Sequence, residues 1–348
     1  MVKEVDRRKK KILKAIIHEH ILSAEPIGSR TLAKSYKLGI SSATIRNEMS
    51  DLEELGYIKQ PYTSAGRVPS DKGYRYYVDT LMKEETDRTI VNIKKLLKDI
   101  KYEQQDIQNI MSHMVKMLSQ VTHYTSIISG PQLEKSKIRK LQLLPVDNSI
   151  LIVLITDTGI VHNKVVKINK RLKPHHFNYL NQFFGDRLEN KEINKITSDY
   201  LKELEHKVLN RLEISRDILE MIYKGLNKIY RPDDFKLYLG GTSYILDQPE
   251  FKDTENLKKV LKILDHEEVL KQIFSSMSNK ELEVLIGHEN ELEDMHKCSL
   301  VFATYSAGDK ASGKIGVIGP TRMEYSRVIN SVNSVAKLMG KIISELSG

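Results

Sequence analysis

Ser42, Thr44, Arg46, Asn47 and Ser50 fall in one short run of polar side chains that are either small or fork-shaped. Arg and Asn are the residue types that hydrogen-bond a purine edge through two atoms at once, Arg on guanine and Asn on adenine, each good pair giving about 1–3 kcal/mol of discrimination. Ile45, Met49, Leu52 and Leu55 recur between them at helical spacing, so burying that stripe turns Ser42, Ala43, Arg46, Asn47 and Ser50 outward. The acidic residues Asp51, Glu53 and Glu54 follow in the C-terminal half. Carboxylates are repelled by phosphates, so such a helix would enter a groove by its N-terminal half. A second set, Thr63, Ser64 and Arg67, sits in the Gly-containing run from Pro61 to Arg67. Thr and Ser donate to phosphate oxygens, and Arg pairs with phosphate or enters a narrow minor groove.

The elements that must hold these residues are legible around them. Asp6 caps a helix bearing Ile12/Leu13, Ile16/Ile17 and Ile21, and Ser23 to Pro26 ends it. Ser29 caps a short second helix with Leu32 and Ala33 inward. Lys37-Leu38-Gly39 makes a turn in which Gly39 suits the positive φ of a helix C-terminus. Ser41 or Ser42 caps the third helix, and Gly56 closes it. This is a helix-turn-helix pattern. Tyr57 to Gln60 reads as a strand, with Gly66 at the tip of the following turn and Val68-Pro69 returning, which makes a wing. Ser70 caps a helix with Tyr74, Tyr77, Val78 and Leu81 packing back. Tyr74, Tyr76 and Tyr77 stand at helical spacing, which fits core and rim better than a base-stacking set.

Composition is compatible with this reading. The 348 residues suggest two or three domains, and 40% apolar with 29% charged residues argues against wholesale disorder. No run approaches the ~20 apolar residues of a membrane span, and no apolar segment follows the basic start, so neither a membrane anchor nor a signal peptide is expected. The single cysteine, Cys298, excludes a disulfide scaffold and fits a reducing, cytoplasmic setting. Residues 1–75 hold 15 Lys/Arg and 9 Asp/Glu, so they supply +6 of the net +9. Charge alone fits a nucleic-acid footprint and a solvated basic face equally well.

Two runs make the pattern specific. Ser41-Ser42-Ala43-Thr44-Ile45-Arg46-Asn47-Glu48-Met49-Ser50-Asp51-Leu52-Glu53-Glu54-Leu55-Gly56 is followed by Thr63-Ser64-Ala65-Gly66-Arg67-Val68-Pro69-Ser70-Asp71-Lys72-Gly73-Tyr74-Arg75. Together they resemble the HrcA family of bacterial heat-inducible transcription repressors. Leu239-Gly240-Gly241-Thr242 and the run from Gly316 to Met323 also look like family segments, so the likeness spans nearly the whole chain. It implies an α+β multidomain protein: a winged helix-turn-helix domain over 1–82, a GAF-like antiparallel-sheet domain in two parts, 89–195 and 281–348, and a mostly helical dimerisation domain inserted over 196–280. It implies a homodimer bound to double-stranded DNA at the inverted repeat called CIRCE, upstream of chaperone operons, with a GroEL-type chaperonin keeping the repressor active. In that reading Arg46 and Asn47 read bases, while Ser42, Thr44, Thr63, Ser64 and Arg67 position the backbone.

The remaining patterns add elements rather than chemistry. Ile90, Ile93, Leu97, Ile100, Ile107, Met111, Met114, Leu118 and Val121 recur at heptad spacing, interrupted by Gln104. That fits a long helix docking on a partner helix, or two helices packing within their own domain. Strand signals cover 125–129, 137–146, 149–156 and 160–168, the last three as a meander, and later 282–287, 295–306 and 314–318. Between them, 200–230 and 257–277 read as helical, with a strand at 235–239. Gly308 to Lys314 matches a phosphate loop except for its last place, held by Ile315 where Ser or Thr should bind magnesium. A strand follows instead of a helix, so the segment reads as a hairpin turn. His18 and His20 point to different faces, His175 and His176 cap or face solvent, and His288 and His296 lack zinc spacing. Cys298 within a strand fits a small core residue. No cofactor, metal or catalytic residue is expected. A metabolite-responsive regulator with an effector in the GAF-like domain, and a nucleotide hydrolase using the 308–314 loop, are the alternatives.

Overall fold

The computed structural model describes residues 6–36, 38–83, 107–131, 136–157, 159–168, 172–209, 216–229, 235–278, 280–308 and 311–346. Within them helices combine with antiparallel sheets, an α+β architecture.

The N-terminal unit follows from its caps and stripes. α1 (Arg7–Ser23) starts at Asp6, whose carboxylate accepts from the Arg8 and Lys9 amides, and it buries Ile12, Leu13, Ile16 and Ile17. Burying each such side chain stabilises the unit by roughly 1.5–3 kcal/mol. α2 (Ser29–Ser35) begins at Ser29, but its cap position is Gly28, which offers no side-chain bond; the expected Ser29 cap is corrected by one residue. Gly39 adopts φ +71 between α2 and α3, the left-handed turn expected of it, while Lys37 lies outside the described residues. α3 (Ser42–Glu54) is capped by Ser41, buries Ile45, Met49 and Leu52, and ends at Gly56 with φ +77. β1 (Ile58–Lys59) pairs antiparallel with β2 (Val68–Pro69). α4 (Asp71–Lys83) follows, with the Ser70 hydroxyl accepting from the Gly73 amide at 3.2 Å. Tyr74 and Val78 are buried, and Tyr76 and Tyr77 are half-buried, so these tyrosines form core and rim.

The chain next builds one large sheet with an excursion. α5 (Ile107–Thr122) leads into β3 (Thr125–Ser129). Ile90, Ile93, Leu97, Ile100 and Gln104 of the heptad pattern lie outside the described residues; Met111, Met114 and Leu118 are buried against the chain's own elements. β4 (Ile138–Val146), β5 (Ser149–Thr156) and β6 (Val161–Lys167) form a separate three-stranded antiparallel sheet. α6 (Pro174–Leu188) packs on β4, and α7 (Ser198–Leu209) and α8 (Arg216–Ile229) complete this unit, with α8 against β5 and β6. The chain returns through β7 (Leu237–Gly240), then α9 (Thr254–Asp265), α10 (Glu267–Ser276), β8 (Leu282–Ile286), β9 (Cys298–Ala307), β10 (Ala311–Pro320) and α11 (Tyr325–Leu346). The large sheet runs β7-β3-β10-β9-β8, antiparallel throughout. Its inner strands are buried on both faces, most fully β3. Ile128, Val301, Ala303, Ile315 and Val317 belong to the core shared with α5 and α11; Ile127, Leu300, Phe302 and Ile318 belong to the core shared with α9 and α10.

The likeness implies a domain that holds both the 137–168 meander and the later strands, interrupted over 196–280; the sheet topology adds how these strands pair. The hydrogen bonds put the meander in its own sheet, and a shared apolar core puts α9 and α10 on the large sheet. The reason is physical: a meander closes through local turns, whereas the pairing of β3 with β7 and β10 joins residues more than a hundred positions apart, which no local pattern records.

The N-terminal unit docks on the large sheet through α4. Arg75 donates to both carboxylate oxygens of Glu289 and to the Val284 carbonyl of edge strand β8. Asp71 accepts from the His288 amide at 3.0 Å and contacts His288 Nδ1 at 2.7 Å. Arg322 donates to the Ile21 carbonyl at 3.1 Å and pairs with Glu250. Tyr74 packs against Tyr325 with centroids 5.8 Å apart.

Candidate nucleic-acid interface

α3 presents the polar set in two tiers. Arg46, Asn47 and Ser50 are exposed, together with Ala43, on the side opposite Ile45, Met49 and Leu52. Ser42 and Thr44 are half-buried at the amino end. Thr44 Oγ1 lies 2.9 Å from Ser41 Oγ, and the Thr44 amide donates to that same Ser41 oxygen at 3.1 Å, so Thr44 belongs to the cap as well as to the surface. The first-turn amides of a helix carry partial positive charge and suit a phosphate.

The carboxylates behind this edge are occupied. Lys9 of α1 reaches Glu48 at 2.9 Å and Asp51 at 3.0 Å, and Arg8 reaches Glu48 at 3.2 Å. The hydrogen bond to Glu48, then that to Asp51, pushes the Lys9 ammonium above its ordinary range. Glu53 holds Arg67 through Nε and Nη2, both at 2.8 Å. α1 and the hairpin therefore pair Glu48, Asp51 and Glu53 internally, which reduces the negative charge that would repel a phosphate backbone, while Glu54 stays exposed.

That pairing corrects one expectation. Arg67 is not a cation at the wing tip. It lies at the base of the hairpin, its guanidinium on Glu53 and its backbone bridged to Ile27 in both directions at 2.8 and 2.9 Å. Gly66 is not at the tip either. A Cβ on it would stand 2.4 Å from the Ile27 carbonyl oxygen, so glycine is required by close backbone approach. The tip is Tyr62 to Ser64. Tyr62, Thr63 and Ser64 are all exposed, and the Gln60 amide fastens the turn by donating to the Thr63 and Ala65 carbonyls at 2.9 and 3.1 Å. Tyr62 is 62% exposed at this tip.

Of the eight expected residues, Arg46, Asn47, Ser50, Thr63 and Ser64 stand exposed, Ser42 and Thr44 sit at the helix start, and Arg67 is withdrawn. Sequence reasoning missed Tyr62, Gln60 and Lys9. The Pro61-Tyr62 step was a usable signal for the tip. Lys9 had none, since its partners lie on another helix.

Elsewhere the residues weighed as chemistry are structural. Cys298 is fully buried, and burial pushes its thiol up to about 12. Lys314 lies in β10 and donates to the Phe274 and Met277 carbonyls, and the segment before it joins β9 to β10, with 309–310 outside the described residues. His18 and His20 reach different tyrosines, Tyr36 and Tyr74, each at 2.7 Å. No helix among the described residues is long and apolar enough to cross a membrane.

Comparison with known proteins agrees in length and order. Residues 108–329 match the family model described as the HrcA protein C-terminal domain. The heat-inducible transcription repressor HrcA of Symbiobacterium thermophilum is 40% identical over 343 residues, covering 97% of this chain and 98% of the relative. That of Caldanaerobacter subterraneus subsp. tengcongensis is 38% identical, covering 98% of each. A crystal structure of a hypothetical protein superposes with a TM-score of 0.66 at 20% identity, covering 99% of this chain and 100% of the other, which speaks for the fold.

Proposed function

The chain belongs to the HrcA family of heat-inducible transcription repressors, and on that premise we propose that it represses chaperone operons as a homodimer on an inverted-repeat operator, the CIRCE element. It is a regulator in this reading and not an enzyme, and it works in the cytoplasm. Residues 1–82 are its winged-helix DNA-binding domain. Arg46 and Asn47 read base edges, Ser50 lies beside them, and Ser42, Thr44, Thr63 and Ser64 hold phosphates. Arg67 acts one step back by holding the wing to α3 through Glu53. The observation that carries the reading is the α3 edge: bidentate-capable side chains exposed at its N-terminal half, with Glu48, Asp51 and Glu53 behind them already paired to cations.

The dimer is assigned to the three-stranded sheet. Ile150, Ile152 and Leu154 of β5 face inward, while Leu151, Val153 and Ile155 face out beside their β6 partners Val165, Asn163 and Val161. Val161 is 49% and Val165 57% exposed, so among the described residues this face of the sheet is open and largely apolar, the kind of surface that suits an interface. The inserted dimerisation unit is accordingly residues 136–229, and the large sheet with α5, α9, α10 and α11 is the GAF-like domain. A two-fold pair matches an inverted repeat because protein and operator symmetry must agree. A GroEL-type chaperonin is the partner that keeps the repressor active, and its occupation by heat-unfolded chains releases the operons.

A gel shift of the full chain on DNA upstream of chaperone operons, with and without purified chaperonin, tests both parts. A retarded band on the inverted repeat, strengthened by chaperonin, is expected. Equal retardation of a shuffled duplex removes the operator reading, and indifference to chaperonin removes the partner.

A further inference from the structure

A cavity of about 440 Å³ opens between α10, edge strand β8 and the 287–295 loop, a volume in the range of small-molecule sites. Part of its wall is apolar, with Ile273, Leu285, Leu292 and Met295. Its polar lining includes Gln272 and Ser276, and its charged lining is of one sign: among the described residues Glu283, held by the Ser278 amide and hydroxyl, Glu289 and Glu291 line it, and no Lys, Arg or His does. Asn290, 5% exposed, also lines it. The Asn290 amide NH2 donates to the Gly287, Met295 and Cys298 carbonyls, which fixes the loop that forms this wall. A chamber with apolar side chains on one part of its wall and carboxylates as its charged lining suits an amphiphilic cation.

Glu289 has a second attachment. The carboxylate that lines the cavity is the one that holds Arg75 of α4, and its Oε2 also accepts from the Ile286 amide at 2.8 Å. Arg75 and Asp71 are the α4 side chains that fasten the N-terminal unit to the 287–289 loop. A cation in the cavity and Arg75 draw on the same acceptor, so the two states, docked and loosened, differ in what the ligand gains.

We propose that this cavity binds a small organic cation with an apolar body, an alkyl- or arylammonium compound, whose head competes with Arg75 for Glu289 and so loosens the docking of the N-terminal unit. The cavity and the latch make this site whether or not the N-terminal unit binds DNA.

The test is calorimetric titration of the full chain with 4-phenylbutylammonium, against 4-phenylbutanol and 4-phenylbutyrate as neutral and anionic controls. One saturable site for the ammonium compound, at least tenfold tighter than the alcohol, is expected. Glu291→Gln, an exposed change, should weaken it about tenfold, and Ile273→Trp should abolish it with circular dichroism unchanged. Arg75→Gln should tighten it severalfold by removing the competitor. Equal affinity for ammonium and alcohol, no saturation, or unchanged binding in both cavity variants overturns the site. Weaker or unchanged binding in Arg75→Gln overturns the coupling.

Discussion

Two arginines in the N-terminal unit show how one residue type takes opposite roles. Arg46 is exposed on α3, whereas Arg67 is tied to Glu53 and bridged through its backbone to Ile27. Arg46→Ala is therefore expected to weaken operator binding by about 1–3 kcal/mol while leaving shuffled duplex and thermal midpoint nearly unchanged. Arg67→Ala is expected to lower the thermal midpoint, since it detaches the hairpin from α3 and leaves Glu53 unpaired. Anisotropy titrations and melting curves on both variants check this, and exchanged phenotypes would reverse the assignment. Arg46 was legible because helical spacing alone turns it away from Ile45 and Met49. The withdrawal of Arg67 was not, because its fate depends on a carboxylate fourteen residues earlier.

At the scale of elements, the wing is a hairpin only two residues long on each side, so its direction depends on where it touches the rest of the unit. Gly66 is that contact. Gly66→Ala puts a methyl into the Ile27 carbonyl and is expected to cost about 1–3 kcal/mol of stability, visible as a fall in thermal midpoint with a weaker operator complex. A variant that melts and binds like the parent would show that the backbone can yield there. Helix starts and stops were readable here because capping is local: Asp6, Ser41, Ser70, Gly39 and Gly56 all stand where their chemistry places them. The sheets were readable as strands but not as partners. β5 alternates buried and half-buried positions, while β3 is buried throughout, and that contrast was the one local hint that they belong to different sheets.

In the whole molecule, the seam between the N-terminal unit and the large sheet carries a pH dependence. His20 bonds Tyr74 near Arg322, and burial first, then the Arg322 charge, pull its imidazole down from 6.5 to about 4. The unfolded chain takes up that proton below pH 6.5 and the folded one does not until about pH 4, so stability is lost as pH falls across that window. Melting between pH 7.5 and 5 should show a smaller drop in His20→Gln than in the parent; parallel drops would remove His20 from the cause. The outer face of the three-stranded sheet governs assembly. Val165→Asp buries a charge in the proposed dimer face and should give monomers in sedimentation that bind a half-site but not the full repeat. Persistence of dimers would move the interface elsewhere.

Since Cys298 is buried and is the only cysteine, Ser50→Cys gives the full chain one reactive thiol on the exposed α3 edge. Loading it with an iron chelate and mapping strand scission on the inverted repeat reads directly where that edge lies. Cleavage is expected in the major groove of both arms, symmetric about the repeat's centre. A bound complex whose DNA stays uncut at the arms would place α3 away from the groove and contradict the assignment.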